Sequence, residues 1–122
     1  MLTAGTVLFN ECKTTAIHET ENEISLPTSS MKGKNNLLLT TKKMPEKILL
    51  VRQKEGGYHA LEMKCTHKGA ALVQKNNELV CPAHGSEFDM DGKVVQSPAA
   101  RDLKKYAVTE RGGEIVIHVG KL

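Results

Sequence analysis

Tryptophan is absent from this 122-residue chain, and only two tyrosines and two phenylalanines occur. An interior built without aromatics must be aliphatic, filled by leucine, isoleucine and valine with methionine in the gaps. Charge of one sign is also lacking: 17 Lys and Arg are interspersed with 14 Asp and Glu for a net +3. No basic run alternates with aromatics, which argues against a nucleic-acid partner. No apolar run approaches the roughly 20 residues of a membrane span. The opening MLTAGTVLFNEC has neither a basic n-region nor an A-x-A-like cleavage site, so no signal peptide is read. A cytoplasmic location is expected. The alternative is export or lipid anchoring at Cys12 with the signal removed, for which Phe9-Asn10-Glu11 poorly matches the small residues wanted. Repeats and low-complexity linkers are missing, and the length suits one domain, 1–122, with one core.

Cysteine is scarce, with three in all, but two of them stand in one stretch with two of the five histidines. That stretch, Cys65 to Phe88, carries Cys65-x-His67 and Cys81-x-x-His84 with 13 residues between His67 and Cys81. Two thiolates and two imidazoles satisfy tetrahedral zinc by count. The order differs from a zinc finger, in which a Cys pair precedes a His pair on one helix face. Here each cluster supplies one Cys and one His. Two similar loops meeting from opposite sides suit a two-iron cluster, one iron taking both sulfurs and the other both nitrogens. Two ferric ions, two sulfides, two thiolates and two neutral imidazoles sum to about zero when oxidised. Such a centre accepts an electron more readily than a four-thiolate one, at roughly −150 to +300 mV.

The remainder reads as short strands between turns. Glu23–Leu26 alternates, Pro27–Asn36 is a polar loop, and Asn36–Thr41 carries three leucines. Lys47–Arg52 and Tyr58–Lys64 flank Gly56-Gly57, a strong hairpin signal. In the second arm Leu61, Met63 and Cys65 share one parity, which puts the first candidate ligand at the end of a half-buried strand. Asn76-Asn77 and Asp91-Gly92 mark further turns. A last hairpin runs from Leu103–Thr109 through Gly112-Gly113 to Glu114–Val119. The N-terminal 1–22 is expected as an extended or edge strand. Short strands with glycine turns and no sustained helical period make an all-β, antiparallel domain. His18, His59 and His118 belong to no second metal motif and are expected on the surface or on edge strands. The five methionines, Tyr106 and Phe88 are assigned to the core.

From Ile48 onward the chain resembles the Rieske family. The carriers are Cys-Thr-His-x-Gly, then Cys-Pro-x-His-Gly-Ser-x-Phe-Asp, then a downstream Gly and a Ser-Pro-Ala. The resemblance implies an antiparallel β sandwich with a small cluster-binding subdomain of two loops, about 65–70 and 81–88. It implies a [2Fe-2S] cluster with Cys65 and Cys81 on the inner iron and His67 and His84 on the outer. The outer ring nitrogens would face solvent, so that the potential falls at alkaline pH. Gly69 and Gly85 follow the histidines, and Ser86 takes the place of a hydroxyl that donates to a cluster sulfide. Pro98 lies in the segment that forms a third loop over the cluster, or only fixes a turn there; Arg101 follows it. The spacer between the clusters is a few residues shorter than usual.

Three departures set the branch. High-potential members carry a loop-to-loop disulfide from positions that here are Ala70 and Ala83, and a tyrosine where Phe88 stands. Their absence resembles the ferredoxin branch and suits a reducing compartment, where disulfides rarely persist. The implied function is a one-electron carrier between a reductase and a terminal oxidoreductase or oxygenase, at a modest potential. The alternatives are a small Rieske subunit of a larger oxidoreductase and a structural zinc module. An oxygenase catalytic subunit would need a second, mononuclear-iron domain. Lys68, beside His67, marks a tip for transient docking of redox protein partners with acidic rims, or is a solvated loop lysine.

Overall fold

The computed structural model describes residues 17–120, so expectations for residues 1–16, the Cys12 alternative included, lie outside the described residues. Alternating and short apolar runs become twelve strands, with no α-helix among the described residues. They are β1 (His18–Glu19), β2 (Glu23–Pro27), β3 (Asn36–Leu39), β4 (Ile48–Arg52), β5 (Tyr58–Glu62) and β6 (Val73–Lys75). The rest are β7 (Glu78–Val80), β8 (Glu87–Phe88), β9 (Val94–Gln96), β10 (Lys105–Tyr106), β11 (Val108–Arg111) and β12 (Glu114–His118). All pair antiparallel, in three four-stranded sheets ordered β1-β2-β12-β11, β10-β5-β4-β3 and β6-β7-β8-β9.

The β4–β5 hairpin forms where Gly56-Gly57 predicts it, running from Arg52 opposite Tyr58 to Ile48 opposite Glu62. Both glycines have positive φ, +108° and +79°, a region that side chains with a Cβ resist. The β4 run Ile-Leu-Leu-Val does not alternate because both its faces are covered. Ile48 and Leu50 pack with Ile24, Leu26, Ile115 and Ile117 of the first sheet. Leu49 and Val51 pack on the other side with Leu79 and Phe88 of the third sheet and with both cysteines. The middle sheet is therefore shared by two apolar layers, each fully buried aliphatic side chain contributing about 1.5–3 kcal/mol. Where two cluster loops were expected as the subdomain, the structure has a complete third sheet beneath them.

Several expectations are corrected. The arm Leu103–Thr109 is split: β10 pairs with β5 of the middle sheet, and after Ala107 the chain switches to pair β11 with β12. A strand that changes sheets closes the corner of a sandwich. The polar loop after Pro27 holds a 3₁₀ turn, Thr28–Met31, whose Met31 is buried. His59 is no surface residue. It lies on β5 between two neighbours, 5% exposed, with Nδ1 3.2 Å from Gln53 Oε1 and Nε2 2.9 Å from the Met90 carbonyl. His118 is half-buried on β12, which is also flanked on both sides, whereas His18 is exposed on the edge strand β1. Met31 and Met63 are buried and Met44 and Met90 pack against the core; Met1 lies outside the described residues.

Candidate metal centre

Two loops of matching backbone pattern carry the four candidate ligands. In the first, the Cys65 amide donates to the Ala70 carbonyl and the Gly69 amide donates back to the Cys65 carbonyl, each at 2.8 Å. In the second, the Cys81 amide donates to the Ser86 carbonyl at 2.8 Å and the Gly85 amide to the Cys81 carbonyl at 2.9 Å. Each loop is thus closed by bonds from a cysteine to the residues four and five positions on. The turn is completed by a glycine with φ of +81° in one and +85° in the other. That shared geometry explains why each loop ends its ligand pair with Gly69 or Gly85.

The loops sort the ligands by depth. Cys65 and Cys81 are buried, 2% and 1% exposed, and not disulfide-bonded, with the two side chains within hydrogen-bond reach of each other. His67 and His84 are exposed, their ring centroids 5.1 Å apart and their planes at 88°. Among the described residues no three His, Cys, Asp or Glu side chains converge on one point that could hold a single ion. Two separate pairs, sulfurs below and nitrogens above, fit a binuclear group better than one tetrahedral ion.

The surroundings of Cys65 shift it toward the thiolate. Burial pushes the Cys65 thiol up, but the His67 amide, the Cys81 and Ser86 side chains and the Lys68 amide outweigh it and bring it below its ordinary value. The His67 amide donates to Cys65 Sγ at 3.5 Å. Thiolate is the form that ligates iron, and donors aimed at sulfur are what tune such a site. Ser86 is fully buried; its Oγ lies at Cys65 and accepts the Ala99 amide at 2.9 Å. The segment after β9 is drawn in by that bond. Ala99, rather than the exposed Pro98, packs with both cysteines. Phe88, fully buried, packs in the same cluster, while Tyr106 anchors the other layer. Ala70 is half-buried and Ala83 exposed, so neither loop offers a sulfur to a staple.

A tie that sequence reasoning missed links the first loop to the third. The Thr66 hydroxyl donates to the Arg101 carbonyl at 2.6 Å, and the Arg101 guanidinium donates to the Thr66 carbonyl at 3.1 Å. No local pattern signals a reciprocal pair 35 residues apart; only its two polar members next to conspicuous motifs were visible.

The sequence model of the Rieske [2Fe-2S] domain matches residues 24–107, more than half of the chain. The chain is similar to the cytochrome b6-f complex iron-sulfur subunit of Chlorobaculum thiosulfatiphilum, 31% identical over 74 residues, covering 59% of this chain and 40% of that protein. The match thus spans about two fifths of the length of that curated relative. The structure is similar to the plasma membrane Rieske protein PetC3 of the cyanobacterium Synechocystis PCC 6803, with a TM-score of 0.60 and 35% identity, covering 75% of this chain and 93% of that one. It also shares its fold with a chain of the complex of reduced oxygenase and oxidized ferredoxin in carbazole 1,9a-dioxygenase. That likeness has a TM-score of 0.60 at 20% identity, over 84% of this chain and 98% of that one. No helix among the described residues is long and apolar enough to cross a membrane.

Proposed function

The chain belongs to the Rieske [2Fe-2S] domain family, and from that premise we propose that it is a one-electron carrier working between a reductase and a terminal oxidoreductase or oxygenase. The observation that carries this reading is the sorting of two buried thiols and two exposed imidazoles onto two matching loops. The bound cluster supplies a one-electron couple. Cys65 and Cys81 would ligate it as thiolates from the buried side, and His67 and His84 would ligate it through their rings at the surface, where a partner can approach. Gly69 and Gly85 turn the two loops tightly, and the Ser86 hydroxyl, buried at Cys65, would donate a hydrogen bond at the sulfur end. The Ser97–Ala99 segment, drawn in by the Ala99–Ser86 bond and with Pro98 exposed on it, would cover a third side.

The potential is modest, above plant-type ferredoxins and below respiratory centres. Phe88 withholds the hydroxyl, and Ala70 and Ala83 the disulfide, of the high-potential members. The lack of a staple also suits work in the cytoplasm. The partners are redox proteins that dock transiently at the tip near Lys68, which is exposed beside His67. A second reading, a small subunit of a larger oxidoreductase, is favoured by the curated relative being a subunit of a complex; co-purification of a large subunit would select it.

The test is electron paramagnetic resonance of the dithionite-reduced protein with iron and sulfide analysis. Two irons and two sulfides per chain, with a reduced-state signal, are expected. A colourless protein with stoichiometric zinc and no signal would mean a structural zinc module instead.

A further inference from the structure

The surface around the candidate ligands is electrically lopsided. On the side of the first loop a cleft of about 530 Å³ opens beside His67, lined by Lys64, Lys68, Arg101 and Lys104 against Glu62 and Asp102. The four bases outnumber the two acids, each of which accepts a hydrogen bond from a neutral donor and keeps its charge. Glu62 accepts the Tyr106 hydroxyl at 3.3 Å, and Asp102 accepts the Val94 amide at 3.0 Å. None of the four bases is ion-paired among the described residues, whose ion pairs both involve Glu23 of the first sheet. Two of the bases are held in place, Arg101 by its bond to Thr66 and Lys104 over the Tyr106 ring at 5.3 Å. The side of the second loop is different: Pro82, Ala83, His84 and Gly85 are exposed and without formal charge, as are Ser97 and Pro98 beside them.

We propose that this cleft is a docking site for a redox protein with an acidic surface, which seats against Lys64 and Lys104 and approaches through His67 rather than His84. The inference rests on the carrier reading above and adds to it the side and the sign of the encounter. Positive charge held next to an exposed redox edge steers a negative partner toward it, and salt screens that steering. The second loop, which carries no lysine or arginine and ends on half-buried Glu87, leaves such a partner one orientation, since charge arranged on one flank fixes register more than it adds affinity.

Small oxidants of opposite charge test this without a known partner. The holoprotein, reduced by dithionite and freed of excess, is mixed in a stopped-flow instrument with hexacyanoferrate(III) or with the tris(phenanthroline)cobalt(III) cation. In each case one electron passes from the protein to the metal complex, iron(III) becoming iron(II) or cobalt(III) becoming cobalt(II), with no atom or proton transferred. The variant is Lys64→Glu with Lys104→Glu. The control is Lys34→Glu with Lys54→Glu, the same change in net charge at the opposite end of the β4–β5 hairpin. We expect the cleft variant to slow hexacyanoferrate by about tenfold at low ionic strength and to speed the cobalt cation, both differences vanishing at high salt. The control should move either rate by less than about twofold. If the two variants act alike, or the cleft variant does nothing, the docking site is overturned while the carrier reading stands. A reduced protein that passes no electron to either oxidant overturns the carrier reading and the site with it. Should the glutamates prevent cluster loading, Lys64→Gln with Lys104→Gln reads the same effect at about threefold.

Discussion

Phe88 stands where the high-potential members of the family carry a tyrosine, and lacks only its hydroxyl. The ring is fully buried in the layer that holds both cysteines. Phe88→Tyr should place a phenol at a thiolate and raise the midpoint potential by about 60 mV or more, one hydrogen bond to a charged group being worth at least about 1.5 kcal/mol and a tenfold one-electron change about 59 mV. Protein-film voltammetry reads it, and an unchanged potential would mean that the ring edge does not reach the sulfur. Tyr106, in the other layer, bears on stability instead. Burial first, then the charge of Glu62 and its hydrogen bond, then the charge of Glu46, push its phenol from 10.0 up to about 12. A phenol held protonated in the folded state contributes fully below pH 10 and loses that contribution as pH rises toward 12. Urea titrations should show about 2 kcal/mol of alkaline loss in the parent that Tyr106→Phe lacks. His59 teaches a different lesson at this scale. Isolated in sequence, it reads as a surface residue; Gln53 meets it within the hairpin, but Met90 is reached only when the β8–β9 turn lies on the hairpin.

Among the elements, local chemistry set the hairpins and distant contacts set everything between them. Gly56-Gly57, Asn76-Asn77 and Gly112-Gly113 each turn a pair of antiparallel strands. The Asp91-Gly92 turn is more than a hinge. Gly92 is buried with φ +84°, and a Cβ there would come within 2.8 Å of Leu61 Cδ2, so this turn seats the third sheet on the middle one. Gly92→Ala should therefore cost about 2–4 kcal/mol, a left-handed backbone plus an overpacked contact. Gly113→Ala, at φ +80° with nothing within 4 Å, should cost only the backbone share of about 1 kcal/mol. Equal losses in urea melts of the two variants would show that the Leu61 contact relaxes freely. Between β8 and β9 the register slips, Glu87 opposite Gln96 but Phe88 opposite Val94, leaving exposed Val95 as the extra residue of a bulge. No sequence period announces that bulge, because one inserted residue changes neither composition nor alternation over so short a strand.

For the whole molecule the governing fact is a middle sheet with two working faces. Leu49 and Leu50 are adjacent, alike and both fully buried, yet they serve different layers. Truncating either to alanine should cost about 2–5 kcal/mol. Only Leu49→Ala opens the layer shared with Cys65 and Cys81, so it alone should hasten bleaching of the visible absorbance in subdenaturing urea; equal bleaching would mean that the two layers yield together. The family, the four candidate ligands and the all-β class were legible in the chain itself. Each depends on residues within one loop or one hairpin, where spacing along the sequence is nearly spacing in space. The third sheet, the strand that changes sheets after Ala107, the Thr66–Arg101 tie, the burial of His59 and the one-sided charge beside His67 were not. These join residues up to tens of positions apart, and their pairing follows from how the layers stack, which no local period records. The sequence by itself determined what the loops can hold. The tertiary structure decided how deep the sulfurs lie, which donors reach them and which flank of the tip carries charge, because burial and electrostatics depend on what packs alongside.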